Sequence, residues 1–179
     1  MIEHRYQIFW RRFWAGSIDG LVFVPIAIID PWRYSEHLPN FILLLWFLFH
    51  QNVWYFYSVL MHGRFGQTLG KMACGVKVVD KSEAKAITYR QAFLRDSMLI
   101  VLGLIVSATL LPDVLNGVNP YEVAEDLSPQ EMRREVFVML LYSSLTMFWF
   151  FAEVVTMLTN RKRRAVHDFI ARSVVIRIS

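Results

Sequence analysis

The apolar positions of this chain fall in long blocks, not in the short alternations or three-and-four spacings of a water-soluble domain. One block covers residues 13–29, after His4, Arg5, Arg11 and Arg12, and ends at Asp30-Pro31. A second covers 41–61, between Pro39-Asn40 and His62-Gly63-Arg64. The third is purely apolar only from Met98 to Leu111 and stops at Pro112-Asp113. It reaches 95–115 if Arg95 snorkels to the interface. The fourth covers 136–158, and its helix starts earlier, because Ser128-Pro129-Gln130-Glu131 offers an N-cap serine, a first-turn proline and a glutamate three residues after the cap. Crossing a bilayer takes roughly 17 to 25 apolar residues. The pattern therefore predicts an all-α membrane protein, one domain over residues 1–179, with four transmembrane helices.

Two short β-branched runs stand apart from these blocks. Residues 76–79 and 174–178 read as strands that pair with each other, since an isolated strand leaves its backbone groups unsatisfied. Between them lie a turn-like Asp80-Lys81-Ser82 and an amphipathic stretch from Ile87 to Leu94.

Charge sets the direction of threading. Of the 19 Lys and Arg residues, sixteen lie before the first block, between the second and third, or after the fourth. Positive residues accumulate on the cytoplasmic face, so both termini and the paired strands are expected inside, and the acidic stretch from Asp113 to Glu135 outside. The expected location is the cell (inner) membrane, as a multi-pass protein. With 55% hydrophobic and 19% charged residues the bilayer is the natural partner. The basic excess beside the spans serves topology and anionic lipid, so nucleic acid is not an expected partner. The first block carries Asp19 and lacks a small-residue cleavage site, which makes it a retained span instead of a signal peptide. The single cysteine, Cys74, forms no internal disulfide and reads as a half-buried packing residue.

The candidate chemistry lies in polar residues placed where they are expensive. A carboxylate in hydrocarbon costs at least about 2.5 kcal/mol, so Asp19 must face protein or water. Gly16 and Gly20 form a small-xxx-small pair for close helix packing on the same broad side. Arg12 lies nearly two turns before Asp19, too far for contact within one helix, so each is expected to meet a partner from elsewhere. Glu153 sits about 12 Å in from Arg161 along the fourth helix, at nearly the depth of Asp19. Two such carboxylates on neighbouring spans could share a proton or a cation, or serve as structural pairs. His50, Gln51 and Asn52 add a polar step to the second block, as interhelical glue or as part of a proton path.

Two motif lookalikes fail on spacing. The run Gly66-Gln67-Thr68-Leu69-Gly70-Lys71-Met72 is one residue short of a phosphate loop, and Met follows its lysine. His167-Asp168 has no further ligands at metal spacing. No nucleophile with a matching base stands out, so neither an enzyme, a metal nor a cofactor is expected.

Three stretches carry a family resemblance: Arg12-Phe13-Trp14-Ala15-Gly16-Ser17-Ile18-Asp19-Gly20; Gly66-Gln67-Thr68-Leu69-Gly70-Lys71-Met72-Ala73-Cys74-Gly75-Val76-Lys77-Val78-Val79-Asp80; and Val166-His167-Asp168-Phe169-Ile170-Ala171. In this order and over almost the whole chain they resemble the RDD family of membrane proteins. The family's name refers to one arginine and two aspartates, which by this match are Arg12, Asp19 and Asp168, with Asp96 of the Arg95-Asp96 pair as the other candidate for the last. The resemblance implies a membrane protein suspected of transport, with sodium/proton exchange suggested for some members. The chain departs from the family's usual extent in its number of spans and in the acidic loop before the fourth.

Together these observations lead to an expectation of ion or small-solute transport, with Na+ or H+ as the candidate ions and Asp19, Glu153 and His50 as the groups to test. The alternative is a non-transporting scaffold or accessory subunit that binds another membrane protein. Four spans are few for a secondary transporter, so a homo-oligomer is expected in the transporting form. The pairing of Asp168 or Asp19 with Arg12 is expected to lock the inner segments over the first span, with Gly66 and Gly70 letting the loop backbone come close.

Overall fold

A computed structural model describes residues 3–35, 39–116 and 128–178. After a 3-10 turn at Glu3–Tyr6 come α1 (Phe9–Val22), α2 (Val24–Ser35), α3 (Asn40–Phe65) and the short α4 (Leu69–Ala73). They are followed by β1 (Val76–Asp80), α5 (Tyr89–Leu115), α6 (Pro129–Thr159), the short α7 (Val166–Ile170) and β2 (Ser173–Arg177). Among the described residues three helical stretches have both the length and the apolarity to cross a membrane: Phe9–Ile29, Tyr89–Leu115 and Val136–Thr159. Helix α3 has the length, with 26 residues, but His50, Gln51 and Asn52 at its middle dilute its apolar run.

The helices depart from the expected boundaries at three points. The first stretch is interrupted at Phe23, whose N–H turns back to the Gly20 carbonyl and whose ring packs against Trp54 and Tyr57 of α3. It also continues past Asp30-Pro31 to Ser35. Helix α5 runs through Pro112 to Leu115, where the Asn116 N–H closes the last turn on the carbonyls of Pro112 and Asp113. In apolar surroundings, a proline that forfeits one hydrogen bond costs less than exposing the rest of a helix turn. Residues 117–127 of the acidic loop lie outside the described residues.

Helices α3 and α5 pack along their lengths. Tyr55 reaches α5 and donates its hydroxyl to the Leu99 carbonyl at 2.9 Å, a fit that needs Gly103, where a Cβ would come within 2.6 Å of that hydroxyl. Helix α5 begins with a capping box: Thr88 Oγ1 accepts from the Gln91 N–H, and Gln91 Oε1 accepts from the Thr88 N–H. The Gln91 amide then reaches Asp80 Oδ2 and the Ala171 carbonyl, fastening the helix start to the strands.

The strands pair antiparallel with Val76 opposite Arg177 and Asp80 opposite Ser173, so the sheet is one residue longer on β1 than expected and is displaced by one residue on β2. Alternation puts Val76, Val78 and Val175 with Ile8, Ile87 and Ala92 in one apolar cluster, and Val79, Val174 and Ile176 with Tyr6 in the other. Beyond the sheet, Glu83 accepts from Tyr6, Arg5 and Lys162, tying the N-terminal turn to the segment after α6.

The close backbone approach expected of Gly16 and Gly20 falls elsewhere. A Cβ at either would meet open space, whereas one at Gly70 would lie 2.0 Å from the Ala15 carbonyl oxygen. Helix α4 docks on α1 through that glycine, because only a residue without Cβ lets the two backbones meet. Gly66, at φ +70°, ends α3 in the left-handed region beneath the Val78 carbonyl. In thermal unfolding of the detergent-solubilised protein, Gly70→Ala should cost about 1–3 kcal/mol through overpacking against main chain, and Gly16→Ala should cost nothing measurable.

Candidate functional site

Two buried carboxylates organise the polar side of the fold. Asp19 of α1 is 3% exposed, and three donors reach it. Tyr57 of α3 gives its hydroxyl to Oδ1 at 2.7 Å, Thr68 gives its hydroxyl to Oδ2 at 2.5 Å, and the Gly70 N–H donates to Oδ1 at 2.8 Å. Thr68 is also the N-cap of α4, accepting from the Lys71 N–H. The loop motif thus grips Asp19 with its threonine and its second glycine, while Gln67 donates its side-chain amide to the Val76 carbonyl and holds the loop to β1.

Asp168 is fully buried in α7 and sits between two arginines. Arg12 Nη1 donates to Oδ2 at 2.8 Å, Arg95 Nη1 donates to Oδ1, and the Ala165 N–H donates to Oδ2 at 2.9 Å. The same Arg95 nitrogen donates to the Ser173 hydroxyl at 2.7 Å. Burial alone would raise the Asp168 carboxyl, but the charges of Arg12 and then Arg95 outweigh it and hold the group well below the usual carboxylate range. Arg95, 5% exposed, does not snorkel as the apolar block suggested: a carboxylate inside the protein binds its charge more firmly than the interface would.

His167 joins this cluster to Glu153. Its Nε2 faces Arg95 at 2.9 Å and Arg12 at 3.1 Å, both of which can only donate, so Nε2 carries the lone pair. Its Nδ1 therefore bears the proton and lies 2.7 Å from Glu153 Oε2, out of line for a hydrogen bond, while the His167 backbone N–H donates to Oε1 at 3.2 Å. Burial, and then the Arg95 charge against the opposing pull of Asp168, lowers the His167 pKa, in agreement with this neutral tautomer. The same logic applies at His62, whose Nδ1 lies 2.8 Å from the Ser58 carbonyl and must donate to it, leaving Nε2 to accept from Lys71 Nζ at 2.7 Å.

Between the two carboxylate knots lies a half-open cavity of about 210 Å³. Arg12, Lys71 and Arg95 bring positive charge to its wall, Asp19 and Asp96 negative charge, and Trp54, Leu99 and Trp149 an apolar side. Asp96 Oδ2 is enclosed with no hydrogen-bond partner among the described residues. Gly16 is also on the wall, with open space where its Cβ would be.

The expected site residues are thus divided. Arg12, Asp19 and Lys71 meet at the cavity, and Glu153 reaches it through His167. Asp19 and Glu153 share no hydrogen-bonding partner among their described contacts, and His50 is not part of the cavity wall. Of the two aspartates open as the last signature position, Asp168 is the one that Arg12 holds. Sequence reasoning missed Tyr57, His62 and Arg95 as partners and Asp96 as a cavity residue; the adjacent charges Arg95-Asp96 inside an apolar block were the available signal. Among the described residues no group of three His, Cys, Asp or Glu side chains is placed to hold a metal.

Apolar helices long enough to span a bilayer, with buried arginine–aspartate and aspartate–hydroxyl clusters fastening short polar segments to them, define a helical membrane protein. The chain belongs to the RDD family, whose model matches residues 6–172. It is 31% identical over 102 residues to a Bacillus subtilis (strain 168) protein called "Uncharacterized membrane protein YteJ", a match that covers 54% of this chain. The chain spans about 62% of that relative's length. No solved structure matches it significantly.

Arg95→Ala should destabilise the folded protein by about 3–5 kcal/mol in denaturant unfolding, because it strips one of two counterions from a fully buried carboxylate. Lys71 generates a pH signature. Burial first, and then the Arg95 and Arg12 charges, lower its pKa to about 7 from 10.5. Between those values the unfolded chain binds a proton that the folded chain does not, so stability rises with pH across the interval. Unfolding midpoints of wild type should climb from about pH 7 to about pH 10, and Lys71→Met should flatten that climb.

Proposed function

We propose that the protein moves ions or small charged solutes across the cell membrane, with the cavity beside Asp19 as the solute site. The observation that carries this is a half-open space lined by charged side chains of α1, α4 and α5, since ionisable groups at membrane depth mark substrate and ion pathways by default. In this proposal α3 is the second of four spans, and the polar step His50-Gln51-Asn52 is tolerated because α3 packs on α5. Both termini and the strand pair face the cytoplasm, in accord with the distribution of Lys and Arg. Asp19 is held by three donors and acts as a fixed anchor, so the group suited to gain and lose a proton in a cation/proton exchange is Lys71, which borders the cavity.

A second reading, a scaffold that binds another membrane protein or a second copy of itself, is favoured by α6. Large apolar side chains such as Phe137, Met147, Phe148 and Phe151 are exposed along it, and its window of highest apolarity is 0% buried. Helix α6 touches the rest of the fold chiefly through α7.

Proteoliposomes with imposed Na+, K+ and H+ gradients separate the two. Transport predicts wild-type flux that falls at least tenfold in Gly16→Phe, which fills the cavity from a position with room for a side chain, while yield and melting temperature hold. The scaffold predicts no wild-type flux and a stable complex in the membrane extract. Impermeant thiol labelling of single cysteines placed at either end should find both termini on the cytoplasmic side. Labelling of the two ends from opposite faces would remove the four-span topology.

A further inference from the structure

The cavity's charges are not equally satisfied. Arg12 and Arg95 are engaged by Asp168 and His167, and Asp19 by Tyr57, Thr68 and Gly70. Two groups are left. Among the described residues Lys71 Nζ has one side-chain acceptor, His62 Nε2, which leaves the remaining donors of an ammonium group to the cavity. Asp96, two turns into α5, encloses an oxygen without a donor. With Lys71 protonated, as it is below about pH 7, the two are of opposite sign and border the same space, yet no ion pair within 4.0 Å joins them among the described residues. A protein that buries an unpaired carboxylate oxygen beside an under-used ammonium leaves a desolvation cost that a bridging ligand would remove.

The shape of the space narrows the choice. At about 210 Å³ it is smaller than the roughly 300–1,000 Å³ of pockets that take drug-sized molecules. The indoles of Trp54 and Trp149 stand on its wall, and aromatic faces attract organic cations. A simple anion would satisfy Lys71 and leave Asp96 repelled. A simple cation would do the reverse.

We propose that the cavity binds a zwitterionic group, its ammonium against Asp96 and the tryptophans and its carboxylate or phosphate against Lys71. This rests on the cavity being a solute site and names the chemistry of the solute. The same pair of charges is carried by a free amino acid and by an ethanolamine phospholipid headgroup.

Thermal unfolding of the full chain in an uncharged maltoside detergent, titrated with glycine and L-alanine, tests the free form. The same melt in nanodiscs of phosphatidylethanolamine against phosphatidylglycerol tests the headgroup. Methylammonium and acetate, together and apart, are the split-charge controls. The expected result is a concentration-dependent rise in melting temperature with a zwitterion that the controls do not reproduce, and an apparent affinity at least tenfold weaker in both Asp96→Asn and Lys71→Met. A response to the free amino acids assigns a soluble solute, and one confined to phosphatidylethanolamine discs assigns the headgroup. Equal stabilisation by the split-charge controls, an undiminished response in the two variants, or no response to any probe would overturn the proposal. Ion flux that Gly16→Phe blocks, combined with no response to the zwitterions, would leave transport standing and remove only this assignment.

Discussion

The structure depends on one buried carboxylate near the end of the sequence held by two guanidinium groups, one from near its start and one from its middle. Asp168 lies in a short helix that could not stand alone, at five residues. Arg12 of α1 and Arg95 of α5 reach it from different helices, and the Ala165 N–H and Ser173 hydroxyl complete its shell. An ionised carboxylate out of water is costly unless every lone pair is used, so this geometry tolerates little rearrangement. It fixes where the chain goes after α6 and sets β2 beside β1.

The second knot does for the middle of the chain what the first does for its end. Asp19 draws Thr68 and the Gly70 N–H onto α1 and recruits Tyr57 from α3. The hydroxyl of Tyr57 also accepts from the Leu69 N–H, so the start of α4 is fastened on both sides. With both knots formed, Lys71 and Asp96 are held at one cavity without meeting. The cavity is therefore a consequence of two anchors set apart from each other along α1.

How much of this was legible depended on whether the signal was local. The apolar blocks, the helix start at Ser128-Pro129, the β-branched runs and the half-buried Cys74 are properties of neighbouring residues, and the sequence conveys them directly. That Arg12 would pair with Asp168 or Asp19 followed from the cost of burying charge together with a family likeness, and the structure selects Asp168, 156 positions away. Composition could not tell whether Arg95 would turn to the interface or inward, because both satisfy a guanidinium. That choice is made by α7, which the spacing of residues does not place. Gly16 and Gly20 have the spacing of a packing motif, but the docking element is the short helix α4, and its own Gly70 supplies the close approach to Ala15. The break at Phe23 escaped notice because the apolar run continues across it.

The central claim is that Arg12 and Asp168 act as a unit that holds the chain's end to its first helix. A double-mutant cycle of Arg12→Ala and Asp168→Ala, read by denaturant unfolding in detergent, measures that unit directly. The account predicts single losses that do not add, with a coupling of about 1–3 kcal/mol. Losses that sum within error would contradict it.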